Sequence, residues 1–493
     1  MSPRYSGTSK SLSVNNVTPT DTEDRMGSTS VQQWAIRDPA QTVAHEQTVS
    51  IALAENLFRF LERCAIPYVV VGDTRRYPHH VESDIDIVLG CSDFHEFAKM
   101  LFRHCSVNGL QCVQAIQHEE SCWYFVISSI TPKQQIVFLH PDVCSDYLRK
   151  SRVFLKAEEL LSGRTQRTPS GNGTVRFSIP AQAQAFVYYL LKKIDKQQIT
   201  AMQGDYLSGQ WREDPVGAFA QLTRFWSKSD VELLADAAER NDWAPVVSRL
   251  PSLQGTLRGR VPVTIMARLR DLRRLGSRLR YPTGLHLVFL GPDGVGKSTI
   301  IERVERDLAP AFRRTKRYHL RPFFGRRKGE GTPVTNPQDQ PPRGRLSSLA
   351  KLVCWWLDYT VGYMINVFPS VMSSTLVLFD RYYHDLLVDQ KRYRYGGPLW
   401  LAQFIGRWIP SPDLLIVLDA PADVVHMRKK EVPLSEVTRQ RSAYRSVLDT
   451  LDCGHVIDAS QPLEQVVLEV ESLILTHLER RLAARFEVTA APQ

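Results

Sequence analysis

The sequence predicts an α/β protein: a carboxy-terminal five-stranded parallel sheet wrapped by helices, preceded by a small α+β domain and a helical region. Three observations point there. Beyond Pro282, apolar runs at 285–290, 317–320, 375–379, 414–418 and 455–457 alternate with segments of helical spacing, the pattern of strands joined by crossover helices. Ahead of Pro282, β-branched runs at 68–71 and 85–89 and strand-like runs at 122–128 and 135–139 follow a helical segment at 49–64. Between these two parts, residues 182–194 and 231–238 repeat apolar residues every three or four positions, which predicts helices.

A chain of 493 residues suffices for about three folded units. Apolar residues at 43% and charged residues at 23% exclude a collagenous, coiled-coil or wholly disordered chain. Against 52 acidic residues stand 62 basic ones, and the formal charge of +10 favours phosphate-rich ligands, nucleic acid or anionic lipid as partners. The eight cysteines (64, 91, 105, 112, 122, 144, 354 and 453) form no C-x-x-C pair and have no clustered histidines, so neither a zinc site nor a redox motif is indicated. The first 45 residues hold no basic-then-apolar signal segment and residue 2 is Ser, so a cytoplasmic location is expected. The longest apolar stretch, 352–368, contains Asp358 and Asn366 and falls short of the ~20 residues that cross a bilayer.

The expected organisation is a disordered tail over 1–45, the α+β domain over 46–150, a helical region over 151–255, a basic amphipathic linker helix over 256–283, the parallel-sheet domain over 284–484 and a tail over 485–493. Within the linker, 263–280 sets Ile265, Leu269, Leu272, Leu275 and Leu279 on one side, and Arg268, Arg270, Arg273, Arg274, Arg278 and Arg280 over much of the rest. Such a helix could touch an anionic membrane peripherally or a polynucleotide. The favoured reading is an interdomain helix with its leucines packed and its arginines solvated, and nucleic acid is not the expected partner.

The run HLVFL leads into GPDGVGKST, residues 291–299, and then into an amphipathic helix at 300–308. That is the P-loop pattern in its strand–loop–helix context. Gly291, Gly294 and Gly296 permit a tight turn and close approach of backbone N–H groups to phosphate. Lys297 would neutralise the β- and γ-phosphates of ATP, and Ser298, followed by Thr299, would ligate Mg2+. The run TLVLF ends in Asp380 and Arg381, a carboxylate able to hold magnesium beside a guanidinium able to stabilise transferring charge. Asp419, at the end of LLIVL, is a rival carboxylate whose alternative role is a helix cap or loop residue. Arg428, Lys429, Lys430, Arg439 and Arg441 flank the probable loop VPLSEV and would form a basic flap that closes over the site, the alternative being a solvated face.

Taken together, GPDGVGKST, FDRYYHD, PDLLIVLDAPADVVHMRKK with RQRSAYRSVLD, and VIDASQPLEQV resemble, in order and spacing, the thymidylate kinase-like nucleoside monophosphate kinases over about residues 284–480. The resemblance implies a five-stranded parallel sheet, ATP and Mg2+ at the P-loop, an acceptor opposite it, and helix-mediated homodimers. It implies that Asp293 contacts the acceptor sugar, that Asp380 and Arg381 are the catalytic pair, that Arg428 guards the lid, and that Asp458 and Ala459 turn beside adenine. The segments HLRPFFGRRKGEGTPVTNPQDQPPRGR and HDLLVDQKRYRYGG depart from the thymidylate kinase pattern and lack its thymine-reading groups. Arg321, Arg326, Arg327, Arg343 and Arg345 in the first, with Lys391, Arg392 and Arg394 in the second, suggest instead an acceptor or product richer in phosphate, the alternative being a solvated loop. This variant resembles kinases of bacterial surface-polysaccharide gene clusters.

The segment YVVVGDTRRYPHHVESDIDIVLG puts Gly72 after one strand and Asp84 and Asp86 on the next, both on one face, where paired acids can share divalent metal. The spacing resembles the nucleotidyltransferase superfamily over about residues 50–145, which implies a triphosphate, two metals and a third acid. Gly72 is followed by Asp73, and QQIVFLH supplies no acid before Asp142. An active nucleotidyltransferase, a degenerate binding relative and ordinary exposed acids stay open, and His79 and His80 read as surface residues. The expected function is a Mg-ATP-dependent phosphotransferase acting on a small phosphorylated or sugar-like acceptor. Its alternatives are a non-catalytic ATP-responsive module and a bifunctional kinase and nucleotidyltransferase.

Overall fold

The structure, a computed structural model, describes residues 39–488 apart from 82–83, 92, 120, 170–174, 262, 264, 323–340, 429–432 and 450. The expected tail up to residue 38, Arg326, Arg327, Lys429, Lys430 and residues 489–493 lie outside the described residues. Mixed α/β architecture is observed, with two large sheets and two two-stranded ones among the described residues. The first has β1 (Tyr68–Val71), β2 (Ile85–Leu89), β3 (Gln111–Glu119), β4 (Cys122–Ile130), β5 (Ile136–Leu139) and β6 (Pro141–Cys144). Its order is β1-β2-β6-β4-β3, with β5 also on β4, and β2 and β6 run parallel while the other pairs are antiparallel.

Alternation along β1 and β2 divides their side chains between two cores. Tyr68, Val70, Ile87 and Leu89 face the helices Pro39–Arg63 and Phe94–Val107. Val69, Val71 and Val88 face helices between Gln182 and Arg260, so that helical region continues the first sheet's own core. Two expectations are corrected here. The first helix starts at Pro39, so 39–45 are helical rather than tail; Pro fits a first helical turn because its missing N–H has no partner there. Residues 151–255 are mainly helical, as expected. They include β8 (Arg152–Leu155), which pairs with β7 (Tyr147–Arg149), and β9 (Thr165–Arg167) with β10 (Phe177–Ile179). Phe177 leaves the helical region altogether and stacks on Phe58 at 4.6 Å inside the first core. The expected tail from 485 is helical to Phe486, which is buried in that same core.

The basic helix Ile265–Arg280 departs from the favoured reading in its leucines and in two of its arginines, while Arg273 and Arg280 are exposed as expected. Leu272, Leu275 and Leu279 are 64%, 50% and 50% exposed, while Arg274 donates to the carbonyl of His118 and Arg278 to that of Gln117 at 2.7 Å. These acceptors lie where the β3–β4 register shifts between Gln117 and Glu119, and charged donors satisfy such carbonyls where leucines would not. Of the described helices, none is long and apolar enough to cross a membrane.

The second sheet is five-stranded and all parallel: β11 (Leu285–Leu290), β12 (Arg314–His319), β13 (Thr375–Asp380), β14 (Leu414–Asp419) and β15 (Gly454–Asp458), ordered β12-β13-β11-β14-β15. β11, β13 and β14 are buried throughout, as strands covered on both faces must be, and their continuous apolar runs are why they were legible. From β11 the chain first crosses over β13 to β12 and later turns the other way to β14. The carboxyl end of β11 is therefore a topological switch point, where a crevice opens. Helices Lys297–Leu308 and Leu463–Phe486 cover one face; helices Arg345–Gly362, His384–Val388, Leu399–Gly406 and Leu434–Leu448 cover the other.

Residues 44–493 form one compact unit. The Leu463–Phe486 helix begins in the second sheet's core and ends, at Leu482, Ala483 and Phe486, in the first sheet's. Removing the Phe177 ring empties a fully buried, stacked position. Phe177→Ala is expected to cost about 3–4 kcal/mol, read as a lowered urea midpoint; an unchanged midpoint would detach this strand from the first core.

Candidate functional site

The loop from β11 into the helix Lys297–Leu308 sits at the switch point. Gly291 (φ +141°) passes so close to β14 that a Cβ would lie 2.5 Å from the carbonyl oxygen of Leu418, and Gly294 and Gly296 also have positive φ. Val295 is buried in the sheet core and fixes the loop from below. Lys297 folds back over it, donating to the carbonyls of Gly291 at 2.6 Å and Pro292 at 2.9 Å, with Asp293 Oδ1 at 3.8 Å. Burial, aided by Arg381, pushes its ammonium down to about 8. Ser298 and Thr299 are exposed in the first helical turn, beside the helix's positive end.

The neighbouring strand β13 delivers Asp380, level with Phe289 of β11 on one side and His319 of β12 on the other. Arg317 Nη2 lies 3.6 Å and His319 Nδ1 3.7 Å from its carboxylate. Burial would raise Asp380, but His319, Lys297 and Arg381 outweigh it and hold the group below the usual range. Arg381 has φ +79°, a left-handed conformation that costs a β-type residue roughly 1–2 kcal/mol, and its N–H donates to the carbonyl of Phe289 at 3.0 Å. That turn drives the guanidinium inward between two carboxylates. Nη2 meets Asp293, and Nη1 meets Asp385 at 2.9 Å. Arg392 takes the other oxygen of Asp293. Asp385, fully buried, also accepts from Tyr393 at 3.1 Å and Tyr444 at 2.8 Å. Burial would raise the Asp293 carboxyl too, yet Arg381, Lys297 and Arg392 together keep it well below the usual carboxylate range.

Asp293, Lys297, Asp380 and Arg381 are thus brought together as expected. Arg428 lies at the other flank, donating to the carbonyls of Ala459 at 3.0 Å and Val295 at 3.4 Å. Arg439 and Arg441 are occupied elsewhere in this conformation: Arg439 by Glu436 and the carbonyl of Val388, Arg441 by Asp419. The rival carboxylate Asp419 is neutralised by both Arg441 and Arg445, each at 2.6 Å, which leaves it little capacity for a cation. Asp458 is exposed and closes a turn onto the Ser460 N–H at 2.9 Å. Arg392, expected to face the acceptor, holds Asp293 instead. Asp385, Tyr393 and Tyr444 were missed; the one signal in the sequence was the i,i+4 spacing of Arg381 and Asp385.

A second candidate site is a cleft of about 400 Å³ in the first sheet, lined by Gly72, Asp84, Asp86, His80, Lys192 and Lys193, among others. Asp84 accepts from Tyr124 at 3.0 Å, and Asp86 is ion-paired with Lys192. A further carboxylate, Asp142, lies on β6, directly beside Asp86 in the parallel β2–β6 register; it follows QQIVFLH by one residue, Pro141, and the sequence alone did not place it beside Asp86. Burial and then the Asp86 charge raise Asp142 to about 7. Among the described residues no group of three His, Cys, Asp or Glu side chains is disposed to hold a metal ion.

No family model matches the chain, and no curated protein matches it. In carboxyl-labelled NMR Asp142 should titrate near 7, and Asp86→Asn should move that midpoint down by removing a like charge and freeing Lys192. An unchanged midpoint in the variant would show that Asp86 does not govern it.

Proposed function

We propose that the protein is a Mg-ATP-dependent phosphotransferase of the nucleoside monophosphate kinase type, acting on a small phosphorylated or sugar-like acceptor. The observation that carries this reading is the convergence of Lys297, Asp293, Asp380 and Arg381 on a glycine-rich loop at the switch point of a parallel sheet.

The residues fit a nucleoside triphosphate and magnesium. Lys297 is a buried ammonium whose hydrogen bonds go to two loop carbonyls, a cost that an anion in the loop would offset. Open space lies over Gly296, where backbone N–H groups and the helix amino terminus can meet phosphate oxygens. Ser298 and Asp380 would hold magnesium, which draws charge from the phosphate oxygens. Arg381, held rigidly between two carboxylates, offers its remaining donors to the phosphoryl group in flight. Arg428 would fix the far wall, and Asp458 with Ala459 would border the base. An acceptor oxygen forms the new bond to the γ-phosphorus while the bond from that phosphorus to the β,γ-bridging oxygen breaks. The electron pair leaves with ADP, and any acceptor proton is released to water.

Closure would recruit Arg439 by opening its half-exposed pair with Glu436, which costs little, whereas Arg441 is held by the buried Asp419. For the amino-terminal cleft we favour ligand binding over nucleotidyl transfer, because Lys192 already compensates Asp86.

The test is mass-spectrometric detection of phosphorylated products from ATP, magnesium and a pooled library of nucleotides, sugars and sugar phosphates. Lys297→Ala should lower product formation by about 100-fold or more, as should Asp380→Asn; full activity in Lys297→Ala would reject the proposal. ATP affinity should also fall as pH rises from 7 to 9. Lys297 is cationic below about 8 and neutral above it, and only the cation attracts phosphate. The Lys297→Ala protein should lack that pH step, and a step of equal size there would assign it to another group.

A further inference from the structure

A pocket of about 560 Å³ opens beside the end of β12, walled by Arg321, Arg343, Ser347, Lys351, Cys354 and Trp355. Ser347, Lys351, Cys354 and Trp355 come from one face of the helix Arg345–Gly362, at spacings of four, three and one residues. Three of the lining side chains are cations and none of the lining residues is acidic. Lys351 donates to the carbonyl of Tyr393, and its ammonium lies 5.3 Å from the centre of the Trp355 ring and 5.8 Å from that of Tyr393. Burial, with Arg343, Arg321 and Arg394 around it, pushes that ammonium down to about 8. The guanidinium of Arg321 is oriented from behind by Asp358, which is fully buried at 3.4 Å. Crowded like charges about an open cavity cost free energy that a bound anion removes.

The pocket is joined to the phosphate-type loop through one short turn. Arg392 of that turn holds Asp293, the next residue's carbonyl receives Lys351, and the carbonyl of Arg394 receives the N–H of Arg343 at 3.1 Å. A small molecule lying along this turn would have one end beside Asp293 and the other among Arg321, Arg343 and Lys351.

We propose that this pocket binds the distal end of the acceptor and that this end carries a phosphate, so that the acceptor is a small phosphate monoester phosphorylated at its opposite end. The inference rests on the phosphotransferase reading for the word acceptor, and on the pocket alone for the phosphate. It also gives Lys351, which the sequence did not single out, a role in specificity.

Cys354 reports occupancy directly, since it lines the pocket and is the one exposed cysteine of the eight. Its alkylation by iodoacetamide, followed by peptide mass spectrometry on the full chain, is measured with glucose 6-phosphate, with inorganic phosphate and with glucose. At a concentration about twice its Kd, glucose 6-phosphate should slow alkylation of Cys354 about threefold, with partly buried Cys453 unaffected. Glucose should give no protection, and inorganic phosphate should protect only weakly if the monoester is the natural class. The double variant Arg343→Ala, Lys351→Ala should lose the protection, and Lys351→Arg should retain part of it. Absence of protection in the unmodified protein, protection by glucose as strong as by its phosphate, protection by inorganic phosphate as strong as by the monoester, or protection surviving in the double variant would overturn the proposal. Lys297→Ala should keep the protection, so a failure of ATP-dependent transfer and a failure of this pocket are read separately.

Discussion

The Asp293 carboxylate, clasped between Arg381 and Arg392 and backed by the buried Asp385, is the interaction on which the second sheet's functional end depends. It ties the glycine-rich loop after β11 to Arg381, the residue that follows β13. It also compels Arg381 into a left-handed backbone, since only that turn aims the guanidinium at both acids at once. A charged group removed this far from water costs several kcal/mol unless paired and hydrogen-bonded. Here every partner is itself held. Tyr393 and Tyr444 join Arg381 as donors to Asp385, so that both its oxygens are hydrogen-bonded, and Tyr444 brings with it the helix Leu434–Leu448 that carries Arg439 and Arg441. A network satisfied on all sides is rigid, and rigidity is what an electrostatic site requires of its donors before the ligand arrives.

The two sheets are mechanically one body because of a helix that neither could hold alone. Leu463–Phe486 lays its first turns on the second sheet and its last on the first, and polar contacts follow the same seam. Arg485 donates to the carbonyl of Ala115 at 2.9 Å, Gln114 to that of Thr283 at 2.8 Å, and His140 bonds the carbonyl of Pro310 at 3.0 Å. The side chains that line the seam from β3 and β4 include Val113 and Val126, which belong to the second sheet's core.

Legibility in the sequence followed burial. β1, β2 and β11 had their ends at the residues expected, each closed by a glycine, and β13 and β14 ran one residue further to take in a terminal acid, because covered strands read as mostly apolar runs. β3 was missed. Its sequence QCVQAIQHE interleaves glutamines with small apolar residues, and it is buried between two cores, so neither alternation nor a long apolar run marks it. The packed face of the basic helix was misjudged because Arg274 and Arg278 are satisfied by carbonyls of a strand far away in sequence. The loop residues and Asp380 were readable since their chemistry is local. Asp142, Asp385 and Lys351 were not, because each acquires its role from a neighbour that only the fold supplies.

Two crevices remain in which a nucleotide could meet both acids and cations, and the account gives them different work. Equilibrium binding of Mg-ATP to the unmodified chain, to Lys297→Ala and to the double variant Asp86→Asn, Asp142→Asn separates them. The account predicts one nucleotide per chain, lost in Lys297→Ala and retained in the double variant. Binding that survives Lys297→Ala and vanishes in the double variant would contradict it and move the nucleotide to the first sheet.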